Sequence, residues 1–353
     1  MNHTSPGGET PTPLSPLPLR HLSDVRRLVL TTRQLRAHGV TAATVAERSR
    51  AGGPWRQLLP GVHLLHPGPP TGEELLHAAL LYVGRAPART GATARTGTTA
   101  ATEPVMVTGL AALALHHFSA APPLLSLDHV DVLVPRTRRT RSVGYVRVVR
   151  GHPLPEPVDI AGVPTAPVAR ALTDAVARLR DATSVRRLLV EAVRGAHCET
   201  TAIVRELTAA RLLTRPYVAG AVDALLAEAR GVAEGQLYAM IRGHGLPEPL
   251  WNVELRMPGG PWLGGVDAYW PDQAVALVLD ARLPQYEKPA PATGSRCEET
   301  TLRERLERLG ITVVYATPHR MRHAPGDQAA LVRTALMAAV DRDPAAYVLV
   351  LPR

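Results

Sequence analysis

The stretch Val266-Asp267-Ala268-Tyr269-Trp270-Pro271, continued through Asp272-Gln273-Ala274 into Val275-Ala276-Leu277-Val278-Leu279-Asp280, reads as two short strands broken at a proline turn. Each strand, Gly264–Trp270 and Val275–Asp280, brings one carboxylate with it, Asp267 on the first and Asp280 on the second. Upstream, Trp251–Arg256 reads as a third strand, and Ala233–His244 as a helix burying Leu237, Met240 and Ile241. Downstream come a charged helix at Glu298–Leu309, a strand at Thr312–Tyr315 and a helix at Asp327–Asp341. The order αβββαβα buries a mixed sheet between helices, so residues 231–342 are expected to form one α/β domain. Residues 343–353 are expected to be a tail.

The N-terminal half has a different rhythm. Residues 1–20 are rich in Pro, Ser, Thr and Gly, have no apolar h-region and read as a disordered leader. Leu22, Val25, Leu28 and Val29 recur at helical spacing. Thr31 or Thr32 can cap a second short helix carrying Leu35 and ending at Gly39. Thr41 can cap a third, with Ala42, Val45 and Ala46 inward and Arg48 and Arg50 toward its end. Trp55–Leu59 and Val62–Leu65 read as strands around Pro60-Gly61. Three helices followed by a β-hairpin is the winged helix-turn-helix pattern, expected over 21–70, whose third helix enters a major groove while the hairpin lies along phosphates.

Residues 71–230 read as a mixed α/β middle region. An amphipathic helix is expected around 73–83, and a low-complexity Ala/Arg/Thr/Gly run at 85–103 is expected to be a flexible insertion. A helix comes next, around Leu110–His117. His129–Val134 and Tyr145–Val149 are expected to form a hairpin whose tip carries Arg136, Arg138, Arg139 and Arg141, a second place for phosphate contact. Four helices are expected near 167–179, 185–193, 200–209 and 216–229.

Charge separates the two ends. The chain has 353 residues and a net charge of +9, and Lys288 is its only lysine. Residues 1–230 carry a balance of +10 and residues 231–353 a balance of −1, so a polyanion meets the N-terminal two thirds first. No run of about 18 apolar residues is present, which argues against a membrane span. The two cysteines, Cys198 and Cys297, make neither a disulfide framework nor a four-ligand zinc site, and a cytoplasmic location is expected.

Gly231-Val-Ala-Glu234, Gly245-Leu-Pro-Glu-Pro-Leu-Trp-Asn252, Val266-Asp267-Ala-Tyr-Trp-Pro271 and Val275–Asp280 together resemble an actinobacterial group of proteins. The C-terminal domain of that group is similar to the very-short-patch-repair endonuclease branch of the restriction-endonuclease-like fold. Its N-terminal half is similar to the winged helix of AbiEi-type antitoxins, a likeness carried here by Leu35-Arg-Ala-His-Gly-Val40 and Trp55-Arg-Gln-Leu-Leu-Pro-Gly-Val62. The resemblance implies a metal site in which a helix Glu, a strand Asp and a Glu-x-Asp on the next strand converge. Glu234, Asp267 and Asp280 match three of those positions as catalytic remnants, and Val278 stands where the second glutamate belongs. A magnesium ion needs oxygen donors and valine offers none. The family's Trp-His ending is also missing, since Arg282-Leu283-Pro284-Gln285 stands there instead, and Lys288 lies too far along to act as a motif lysine.

Other chemistry is thinly represented. His116-His117 and His197-Cys198 have no partner spacing for a metal. Gly259-Gly260 and Gly264-Gly265 are turn signals without a Walker lysine, and no Gly-x-Ser-x-Gly elbow occurs. The expected function is therefore a transcriptional regulator or antitoxin-like repressor. It holds double-stranded DNA through Arg33, Arg36, Arg48, Arg50 and Arg56, with a cognate toxin or a second copy as further partners. The alternative is a metal-dependent DNA endonuclease using Glu234 with Asp267 and Asp280 as Mg²⁺ ligands.

Overall fold

A computed structural model of the protein describes residues 28–84, 104–280, 295–340 and 348–353. The chain is mixed α/β with three sheets. It divides into two compact units, residues 1–192 with 206–218, and residues 193–205 with 219–353.

The first unit opens with strand β1 (Val29–Thr31), helices α1 (Thr32–Ala37) and α2 (Ala42–Arg48), and strands β2 (Arg56–Leu59) and β3 (Val62–Leu64). Val29 was expected to continue a helix from Leu22; it lies instead in β1, paired antiparallel with β3, while Leu22 and Val25 fall outside the described residues. Pairing wins because Val29 and Leu64 face each other across the ladder and are both fully buried. Thr31 rather than Thr32 caps α1. Its hydroxyl accepts from the Gln34 N–H and the Gln34 side chain accepts from the Thr31 N–H at 2.8 Å, a complete capping box. Thr32 instead donates its N–H to the Gly61 carbonyl at 3.0 Å, tying the helix to the hairpin turn. Thr31→Ala is expected to lower stability by about 1 kcal/mol, measured as a shift of the urea midpoint at unchanged slope.

Leu35, Val45 and Trp55 form the small core beneath these two helices; Ala42 and Ala46, expected inward with Val45, are exposed instead, because the short helix turns only Val45 onto that core. Helix α3 (Gly72–Gly84) then packs against β1, β2 and β3 and also against the second sheet. Residues 28–70 therefore belong to the same compact unit as the residues that follow them.

The second sheet contains β4 (Met106–Thr108), β5 (Val130–Pro135), β6 (Val146–Gly151), β7 (Val158–Ile160) and β8 (Val163–Thr165), in the order β6-β5-β4-β8-β7. Helices α4 (Gly109–Leu115) and α5 (Val168–Arg178) pack against it, and α6 (Ala182–Arg194) and α7 (Thr200–Ala209) follow in the chain. The expected hairpin at 129–149 is corrected: β5 and β6 run parallel. The connection at 136–145 folds back because its own groups hold it down. Arg150 donates to the Arg138 and Thr140 carbonyls, and the Ser142 hydroxyl accepts from the Val148 N–H. The 85–103 insertion lies outside the described residues.

The second unit is built on α8 (Pro216–Gly243), β9 (Leu250–Arg256), β10 (Trp262–Trp270), β11 (Val275–Leu279), α9 (Ser295–Arg308), β12 (Thr312–Ala316), α10 (Pro318–His323), α11 (Pro325–Val340) and β13 (Leu349–Pro352). The strand order is β12-β11-β10-β9-β13, with β11 and β12 parallel and the others antiparallel. One face buries Ala233, Leu237 and Ile241 of α8 with Val332 and Leu336 of α11 against Trp270 and Leu277. The other buries Leu306 and Ile311 against Val266, Tyr269 and Ala276. Two expectations are corrected here. The helices expected at 216–229 and 233–244 are one helix of 28 residues, because Arg230 and Glu234 pair across the join. The expected tail supplies β13, since Leu349–Pro352 takes up the free edge of β9.

Candidate functional site

The candidate residues gather in two places. The first is the surface of the N-terminal head. Arg33 and Arg36 on α1, Arg48 at the end of α2, Arg50 in the next turn and Arg56 on β2 are all exposed. Arg33, Arg36 and Arg50 make no ion pair among the described residues. Arg56 donates to the Gly68 carbonyl at 3.2 Å. The Arg48 guanidinium lies 4.9 Å from the centre of the Trp55 ring, a cation–π contact that fixes it at the surface without neutralising it.

Beneath these arginines sits a group that sequence inspection missed. His63 on β3 is buried, with one ring nitrogen 3.1 Å from the Thr32 hydroxyl and the other 3.0 Å from the Ser49 hydroxyl. It therefore joins the start of α1 to the end of α2. Burial holds its pKa below the ordinary imidazole value. Alternation along Val62-His63-Leu64 gives no sign of this, since all three residues are buried.

In the fold-back loop, Arg136, Arg139 and Arg141 are exposed. Arg138 is not available in the same way. It is half-buried and donates from Nε to the Val83 carbonyl at 3.2 Å, which anchors the loop to the end of α3.

The second place is the carboxylate cluster of the second unit. Glu234 and Asp267 do converge, and an arginine stands between them. Arg230 donates from Nε to Glu234 at 2.8 Å and from an Nη to Asp267 Oδ1 at 2.9 Å. The other Asp267 oxygen accepts the Leu279 N–H at 2.6 Å. The β10–β11 ladder pairs residues up to Ala268 and Leu277, so the carboxylate takes up the next strand N–H in place of a backbone carbonyl. Asp267 is only 7% exposed. Burial pushes its pKa above the ordinary value, against the opposing pull of the Leu279 hydrogen bond and of Arg230.

Arg353, from the C-terminal segment, lies over Gly265. Its Nη1 is 3.1 Å from where a side chain at 265 would begin, so residue 265 can carry none without displacing it. Its charge also acts on Asp267. Asp280 is exposed and takes no part in this network, while Val278 packs among the apolar residues on the α9 side of the sheet.

Both Asp267 oxygens are engaged, a guanidinium lies between the two converging carboxylates, and position 278 has no donor atom. Among the described residues no group of three or more His, Cys, Asp or Glu side chains is placed to hold a metal. No helix among them is long and apolar enough to cross a membrane. Neither a protein-family model nor a curated protein matches the chain.

Proposed function

We propose that the protein binds double-stranded DNA through a winged-helix head and acts as a transcriptional regulator or antitoxin-like repressor. On this proposal its second unit is a restriction-endonuclease-like scaffold that does not cut. The observation that carries the DNA-binding part is the set of exposed arginines on α1, α2 and β2. Phosphates are positioned by such charge regardless of sequence. Exposed Ala42, Ala43 and Ala46 leave one side of α2 without bulk, so the helix backbone can approach a groove closely. The positive balance of residues 1–230 favours the same end of the chain.

The observation that carries the non-cutting part is Arg230. It already pairs with both Glu234 and Asp267, the carboxylates that would hold a magnesium ion. The order of α8, β9, β10, β11, α9 and β12 agrees with a restriction-endonuclease-like arrangement. In this account the second unit provides a surface for a cognate toxin or for a second copy of the chain.

The test is a pair of measurements on the full chain. Fluorescence anisotropy with a labelled duplex is expected to give saturable binding that weakens as salt rises. Incubation of supercoiled plasmid with the protein and Mg²⁺ or Mn²⁺ is expected to leave it intact. Nicking that disappears in Asp267→Ala would establish the endonuclease instead.

A further inference from the structure

On the second sheet, three polar residues sit side by side at one level. Thr108 of β4 faces Asp131 of β5, and Asp131 neighbours Arg147 of β6. Helix α5 brings Arg170, Asp174 and Arg178 to this layer, spaced four residues apart and so on one helix face. Thr108 donates to Asp174 at 2.6 Å, and Arg170 donates to the same oxygen at 3.0 Å. Asp174 is thereby satisfied. Asp131 is not: one of its oxygens is buried with no hydrogen-bond donor, and Arg147 stands 3.6 Å from that oxygen, too far for a hydrogen bond. Gly109 closes the layer from below. Its φ is +64°, and a side chain there would meet Asp131 at 2.8 Å.

Three arginines against two aspartates leave this layer with unmatched positive charge. Arg178 is exposed and makes no hydrogen bond or ion pair among the described residues. Arg147 and Arg178 both open onto a cleft of ≈ 370 Å³, lined also by His129, Ser142 and Gly144. The Ser142 oxygen already accepts the Val148 N–H at 2.9 Å, which leaves its own proton free to donate. Burial pushes the Asp131 carboxyl up, while Arg147 and Arg178 pull it down, so both guanidiniums act on the same point.

We propose that this cleft binds a phosphate group, with Arg147 and Arg178 as its two guanidinium clamps and Ser142 and His129 as donors at its rim. Asp131 holds Arg147 in place from beneath. Two guanidiniums, a hydroxyl and an imidazole offer more donors than the two oxygens of a carboxylate use, and they suit the three or four oxygens of a phosphate. The phosphate belongs either to a free phosphomonoester or to the backbone of duplex DNA. The site stands independently of the DNA-binding head, because the first measurement contains no DNA.

The test is calorimetric titration of the full chain with inorganic phosphate in a phosphate-free buffer of low ionic strength. Saturable binding near one phosphate per chain is expected. Arg178→Ala and Arg147→Lys are each expected to weaken it at least about tenfold, with circular dichroism checking that both variants remain folded. Arg178 is exposed and its side chain makes no hydrogen bond among the described residues, so its removal breaks none. The titration is then repeated with a short duplex present. Competition, with equal losses of phosphate and DNA affinity in both variants, assigns the site to the DNA backbone; phosphate binding unchanged by the duplex assigns it to a free phosphomonoester. No saturable phosphate binding, or wild-type affinity in both variants, overturns the proposal.

Discussion

Reversing the charge of Arg48 and Arg50 together is expected to lower affinity for duplex DNA about 100-fold at roughly 100 mM salt, equivalent to about 2.7 kcal/mol. Both side chains are exposed, one at the end of α2 and one in the turn after it. Arg48 is held on the Trp55 ring, so it loses little freedom when it meets a phosphate. Each phosphate contact removed lowers the slope of log affinity against log salt by about 0.9. The double variant should therefore show a flatter slope by roughly 2, uniformly across DNA sequences. Arg48→Gln with Arg50→Gln should give the same flattening and a smaller loss. Anisotropy titrations at several salt concentrations measure both quantities. An unchanged slope removes these two residues from the contact.

Arg230→Ala is expected to destabilise the protein by about 2 kcal/mol at neutral pH. Removing one partner of a fully buried ion pair costs about 3–5 kcal/mol, but the Arg230 side chain is 48% exposed and solvent screens part of that loss. The pH dependence separates this cause from a packing defect. Asp267 has a folded pKa above its ordinary 3.8, so the folded chain holds that proton more tightly than the unfolded one. Its contribution to stability therefore declines as pH rises from 3.8 through the folded pKa. Taking away the arginine raises that pKa further. The deficit of the variant should be smallest below about pH 4, where Asp267 is protonated in both proteins, and should widen toward neutrality. Urea unfolding at acid and neutral pH measures the deficit, and the carboxyl carbon shift of Asp267 measures the pKa. A deficit that does not change with pH would mean that Arg230 contributes only packing.

Much of the secondary structure could be read from apolar periodicity. Thr31 and Thr41 cap helices as their positions suggest, and α5, α7, β9, β11 and β12 fall within a few residues of where they were expected. Pairing was harder to read. The alternation that marks β5 and β6 as strands is the same for a parallel and an antiparallel pair, and only the Arg150 and Ser142 contacts reveal how the connection folds back. Strand β13 was missed because Val348-Leu349-Val350-Leu351 is too short to stand out without its partner β9. The resemblance implies that Glu234, Asp267 and Asp280 come together; Arg230 bonds to the first two, and Asp280 is exposed outside that network. Arg230 was not singled out, although its place four residues before Glu234 carries the signal of a helix-face ion pair. Asp280, expected at the end of the same strand as Val278, lies one residue beyond β11, and the carboxylates that meet lie on α8 and β10.

Helix α3 supports two sheets at once, and this limits how the head can be handled in isolation. Cutting the chain after residue 70 would remove α3, which packs against β1, β2 and β3, from strands whose Val29, Val62 and Leu64 are buried. A fragment carrying only the arginine-bearing helices should be sticky and poorly folded. Any transplant of the head should carry residues through at least 178, so that α3 keeps the second sheet it also packs against.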